Sequence, residues 1–114
     1  MNRLSVVVTA SALAVAVTVP AWAQDAKKVE RGKQVYVEQK CKLCHQVAGE
    51  GNAKGQLDAV GGKLKADEIK QWIVNPQAMA DKAKATRKPA MKAYPNLSAE
   101  DLDALVAYME SLKK

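Results

Sequence analysis

The sequence predicts an all-α fold of four or five helices, and three observations carry that expectation. Apolar residues recur three and four positions apart in separate stretches of the chain. No stretch shows the strict alternation of a half-buried strand, and no internal repeat is present. A tight Cys41-Lys42-Leu43-Cys44-His45 motif ends the first of the helical stretches. With 114 residues the chain has room for one small domain.

The first 23 residues read as a secretory leader rather than as part of the fold. Arg3 supplies a positive start, Leu4 to Val19 is an apolar run rich in Val and Ala, and Ala21-Trp22-Ala23 after Pro20 is a small-x-small cleavage pattern. The run is shorter than the ~20 apolar residues of a spanning helix, so removal is expected rather than membrane anchoring. Cleavage after Ala23 leaves residues 24–114 as the working domain, with no stable membrane insertion.

Residues 26–40 form the first predicted helix, with Val29, Gly32, Tyr36 and Lys40 on one face and Val35 beside them. A glycine inside a helix costs about 1 kcal/mol against alanine, so Gly32 implies close approach by another element. The helix runs into Cys41, Cys44 and His45. Two cysteines two residues apart followed at once by histidine are the spacing of covalent haem attachment. Each thiol takes one vinyl edge of the porphyrin as a thioether, and the histidine then reaches the iron from below. A redox disulfide would call for a βαβ pattern, which is missing. A closed zinc site would need a fourth ligand, and two cysteines with the single histidine supply three. An oxidising compartment favours pairing of free thiols, and attachment uses both, so the leader and the motif support each other.

The stretch from Val47 to Lys65 holds five glycines and reads as loop, anchored by Leu57 and Val60. Residues 66–74 form a short helix with Asp67 and Glu68 in its first turn and an apolar stripe of Ile69, Trp72 and Ile73; Asn75-Pro76 ends it. A further helix is expected at about 77–84. Residues 85–97 read as loop, with Met91 between Pro89 and Pro95. Ser98 then caps a last helix that carries Glu100 and Asp101 in its first turn and the stripe Leu102, Leu105, Val106, Met109 and Leu112.

Low-spin haem needs a second axial group. Met109 belongs to an apolar stripe and reads as core. Met91, held between two prolines, is the favoured ligand because a weak thioether needs a stiff backbone behind it. Met79, a lysine or an open site remain as alternatives.

Without Arg3 the chain keeps 17 basic against 12 acidic residues, a formal +5. The spread of the basic residues and the scarcity of aromatic ones exclude a nucleic-acid binder. The charge fits steering toward acidic protein partners. Lys40, Lys42, Lys54, Lys84, Arg87, Lys88 and Lys92 all flank segments expected around the cofactor, where they would form a positive rim.

Taken together, Gly32 and Tyr36, the Cys41–His45 motif, Trp72-Ile73-Val74-Asn75-Pro76, Lys88-Pro89-Ala90-Met91, Leu97-Ser98-Ala99-Glu100-Asp101 and Leu105-Val106-Ala107-Tyr108-Met109 resemble the class I c-type cytochromes, specifically the small bacterial single-haem carriers. The resemblance covers residues 26–113. It implies four or five helices wrapped around one covalently attached haem c, with His45 and Met91 on the iron. It also implies crossing first and last helices with Gly32, Tyr36 and Tyr108 at the contact. Trp72 is similar to the family's haem-pocket aromatic, a plain core tryptophan being the alternative. One departure concerns the loop after the motif. The family usually has a proline there, whose carbonyl orients the proximal histidine; Lys54-Gly55-Gln56-Leu57 has none, which leaves the Gly55 or Gln56 backbone to serve. The function expected is one-electron transfer by a periplasmic monomer that is not itself an enzyme. The alternatives are a haem subunit bound to one exported dehydrogenase and, from another class, a gas-binding haem protein with an open sixth site.

Overall fold

A computed structural model describes residues 9–114. The start of the expected leader, Arg3 and Leu4 to Val8, lies outside them. Residues 9–20 carry no regular structure, and Leu13, Val15 and Val17 are each more than 80% exposed, so this apolar run packs against nothing in the domain.

Five α-helices follow: α1 (Ala21–Glu38), α2 (Val60–Lys63), α3 (Ala66–Val74), α4 (Pro76–Ala83) and α5 (Ala99–Ser111). The all-α expectation holds, with one small addition: strands β1 (Gln46–Val47) and β2 (Glu50–Gly51) pair antiparallel as a minimal hairpin. Ala48 and Gly49 turn it, both at positive φ. A pair of two-residue strands is too short to show an alternation, which is why no pattern announced it.

Helix α1 begins five residues earlier and ends two residues sooner than the periodicity predicts. Extended Pro20 precedes it, and nothing in Ala21-Trp22-Ala23 resists helix. At the other end Lys40 adopts a left-handed conformation (φ 57°), turning the chain into the 3-10 turn Cys41–Leu43. Lys40 therefore leaves the helical face assigned to it and is exposed. Helix α2 lies within the stretch read as loop; one turn containing two glycines carries no readable stripe. Helix α3 matches its expected bounds, and Asn75 closes it. The Glu68 carboxylate accepts the Lys65 N–H at 3.1 Å, satisfying one of its unpaired first-turn donors. Helix α4 starts on Pro76, whose missing N–H costs nothing at that position. Ser98 Oγ accepts the Asp101 N–H at 3.1 Å, the expected cap of α5.

The core is the crossing of α1 and α5, with α3 laid against α5. Val35, Tyr36, Ile69, Ile73, Leu105, Val106, Tyr108 and Met109 form one buried cluster. A Cβ on Gly32 would overlap the Ala104 carbonyl oxygen and Tyr108, so glycine alone permits this approach. Beside it the Tyr36 and Tyr108 rings meet edge to face, centroids 5.7 Å apart at 78°. On the flank Arg31 grips Asp101 with two hydrogen bonds of 2.8 and 3.0 Å and also reaches Glu38, a clamp that no sequence period announces.

Candidate functional site

The Cys41–Leu43 turn is tight because the Cys44 and His45 N–H groups both donate to the Cys41 carbonyl, at 3.1 and 2.9 Å. It presents two free thiols, Cys41 half-buried and Cys44 exposed. Burial pushes the Cys41 thiol up to about 11, so it stands as a neutral thiol.

The loop after the motif decides the orientation of His45. Its Nδ1 lies 3.1 Å from the Gly55 carbonyl oxygen, and a proton on Nδ1 donated there leaves Nε2 as the free ligating nitrogen. The open choice between Gly55 and Gln56 falls to Gly55, so a glycine carbonyl does here what the family's proline carbonyl does elsewhere. A Cβ on Gly55 would overlap the Cys44 carbonyl and lie 3.0 Å from His45 Nδ1. The absence of a side chain is thus what brings the acceptor within reach. Burial, ahead of the charge of Arg87, keeps the imidazole below its ordinary pKa and favours the neutral form that binds metal.

These groups line one cavity of about 580 Å³. Cys41, Cys44 and His45 contribute to its wall from the attachment turn. Met91 contributes from the loop after α4, and Trp72 and Ile73 from α3. Leu57, Val60, Leu64, Leu105 and Met109 make the remainder apolar. All five residues singled out in the sequence therefore meet in one place. Trp72 is half-buried, facing the cavity rather than filling the core. Met109 is 6% exposed in the main cluster, as its stripe predicts, and also touches the cavity. Met79 is not among the lining residues. The Tyr36 hydroxyl, buried against this wall, has no hydrogen-bond partner among the described residues. An apolar chamber with two thiols and an oriented imidazole on one wall and a thioether facing the same space fits a covalently attached haem.

Five helices folded around such a chamber define a small single-haem protein of the c type. The family model for cytochrome c matches residues 29–113, and the chain belongs to that family, whose members carry covalently bound haem c with its iron. A cytochrome c oxidase subunit 2 from Alkalihalophilus pseudofirmus is 35% identical over 92 residues, 73% of this chain. The chain spans about a quarter of that relative's length. No solved structure matches the chain significantly.

Proposed function

We propose that this chain is an exported carrier of single electrons, with His45 and Met91 as the axial ligands of its iron. The observation that carries the reading is the shared cavity: the attachment cysteines, an imidazole already fixed by Gly55 and the Met91 loop border the same apolar space. When bound, the haem supplies an iron that gains and gives up one electron. Cys41 and Cys44 hold the group in place. The Gly55 carbonyl keeps the His45 Nδ1 proton and aims Nε2 inward. Met91 offers a neutral thioether, a donor that raises the reduction potential. Leu57, Leu64, Ile73 and Leu105 keep water out, which disfavours the more highly charged oxidised state. The reading makes the chain a carrier rather than an enzyme. It also makes residues 1–23 a removed leader, a reading supported by the exposure of the apolar run 9–20. Among the described residues no helix is long and apolar enough to cross a membrane.

Acidic redox proteins are the partners this reading calls for. Lys40, Arg87, Lys88 and Lys92 line the cavity, and all four are exposed. The similarity to part of an oxidase subunit favours a second reading, a haem unit that works within a larger respiratory complex. Carbon monoxide added to the reduced holoprotein tests the ligation: a spectrum that stays unchanged is expected, and rapid formation of a carbonyl adduct would refute a closed sixth site. Size-exclusion of native extract separates the two readings, since a free carrier elutes alone.

A further inference from the structure

Arg87 has no part in attachment or ligation, yet its guanidinium sits at the junction of both. It lies in the exposed loop after α4, four residues before Met91. Its Nη2 donates to the Cys44 carbonyl oxygen at 2.6 Å. Its Nη1 is so close to Gly55 that a Cβ there would overlap it, along with the Cys44 carbonyl. Guanidinium, Cys44 carbonyl, Gly55 and the His45 ring thus converge on one spot. Two further facts give the contact weight. Among the described residues, no other hydrogen bond involves residues 86–93, so this bond is the loop's tie to the attachment turn. Arg87 also forms no salt bridge there, whereas the chain's other described arginine, Arg31, is held by two carboxylates.

We propose that Arg87 is a positioning residue for both axial ligands: it ties the Met91 loop to the peptide that carries His45, and its charge biases the site toward the reduced state. The proposal rests on the reading that His45 and Met91 hold the iron. The physics of the tie is simple. A thioether is a weak ligand, and a loop exposed from residue 84 to residue 90 has little packing to hold it. A guanidinium bonded to the carbonyl of the residue before His45 makes movement of the loop and of the histidine one event. The charge acts separately. The reduced site carries one positive charge fewer than the oxidised site, so a nearby cation favours reduction.

The two effects can be separated in the holoprotein. Arg87→Gln removes the charge and the guanidinium fork. Arg87→Lys keeps the charge and loses the fork. Lys84→Gln removes a neighbouring exposed cation that has no contact with Cys44. In a redox buffer clamped near the midpoint, Arg87→Gln should raise the ferric-to-ferrous ratio about threefold, the scale of one solvent-screened charge. Arg87→Lys and Lys84→Gln should leave the ratio near that of the unaltered protein. In urea, both Arg87 variants should lose the far-red sulfur-to-iron band of the ferric protein well before the helical signal, whereas Lys84→Gln should lose the two as the unaltered protein does. The proposal fails if either readout of Arg87→Gln matches the unaltered protein, or if Lys84→Gln moves the ratio as far. Absence of the far-red band from the unaltered ferric protein would refute Met91 ligation itself, and the proposal with it.

Discussion

Single atoms decide the behaviour of the site. At Gly55 the missing Cβ leaves room for the Cys44 carbonyl, the Arg87 guanidinium and His45 Nδ1 to share one small volume. Gly55→Ala forces one of them aside. We expect a loss of about 1–3 kcal/mol of stability, the usual cost of overpacking, together with a looser proximal histidine, read by chemical denaturation and by the ferric spectrum of the holoprotein. Gly62→Ala is the natural control, since a Cβ there meets nothing within 4 Å. If Met91 is the second axial ligand, as proposed, Met91→Ala should abolish the far-red band and lower the potential. Met79→Ala should change neither, because Met79 is absent from the cavity wall. Loss of the band in Met79→Ala would overturn the assignment.

Between elements, the α1–α5 crossing sets the geometry. Gly32 lets the two backbones touch, and the Tyr36–Tyr108 pair fills the space beside them. Gly32→Val should separate the helices and cost about 1–3 kcal/mol by overpacking, a loss that outweighs the few tenths of a kcal/mol valine gains over glycine in helix propensity. Thermal melting of the holoprotein measures this. The Arg31–Asp101 clamp adds a pH dependence. The hydrogen bonds from Arg31 hold the Asp101 carboxyl below its ordinary value of 3.8. A carboxyl lowered on folding stabilises above its unfolded pKa, and the contribution fades as pH falls through the folded one. Asp101→Asn should therefore weaken the protein slightly at neutral pH and flatten its loss of stability below about pH 4. Equal slopes for the two proteins in acid titration would show that the clamp contributes nothing.

On the scale of the molecule, charge is unevenly placed. Four exposed basic residues line the cavity, while Lys113 and Lys114 lie past the end of α5 and do not. If the rim meets an acidic partner, charge reversal at Lys40 or Lys88 should slow association more than reversal at Lys113 or Lys114. Screening beyond roughly 10 Å at 0.1 M salt should make the second-order rate fall steeply with ionic strength. A rate flat with salt, or equally sensitive at all four lysines, removes the idea. If the chain is exported and its leader removed as proposed, mass spectrometry of the mature protein should find a chain starting at Gln24 and carrying one haem that survives acid extraction.

The sequence by itself determined the chemistry and the long elements. Covalent attachment is written in five consecutive residues because two thiols and an imidazole must meet one porphyrin across a single turn. Helices α3 and α5 are written in their stripes and caps, since burial of one face imposes a period and unpaired terminal N–H groups call for residues such as Ser98. Tertiary structure decided what depends on backbone atoms and distant pairs. The carbonyl that orients His45 belongs to Gly55, and every residue type carries a carbonyl, so side-chain chemistry could not point to it. The α2 turn and the β1–β2 hairpin are too short to repeat a pattern. Arg87 bonds to a residue 43 positions away and Arg31 to one 70 positions away. Such partners become neighbours only when the helices cross, and no local spacing along the chain encodes that meeting.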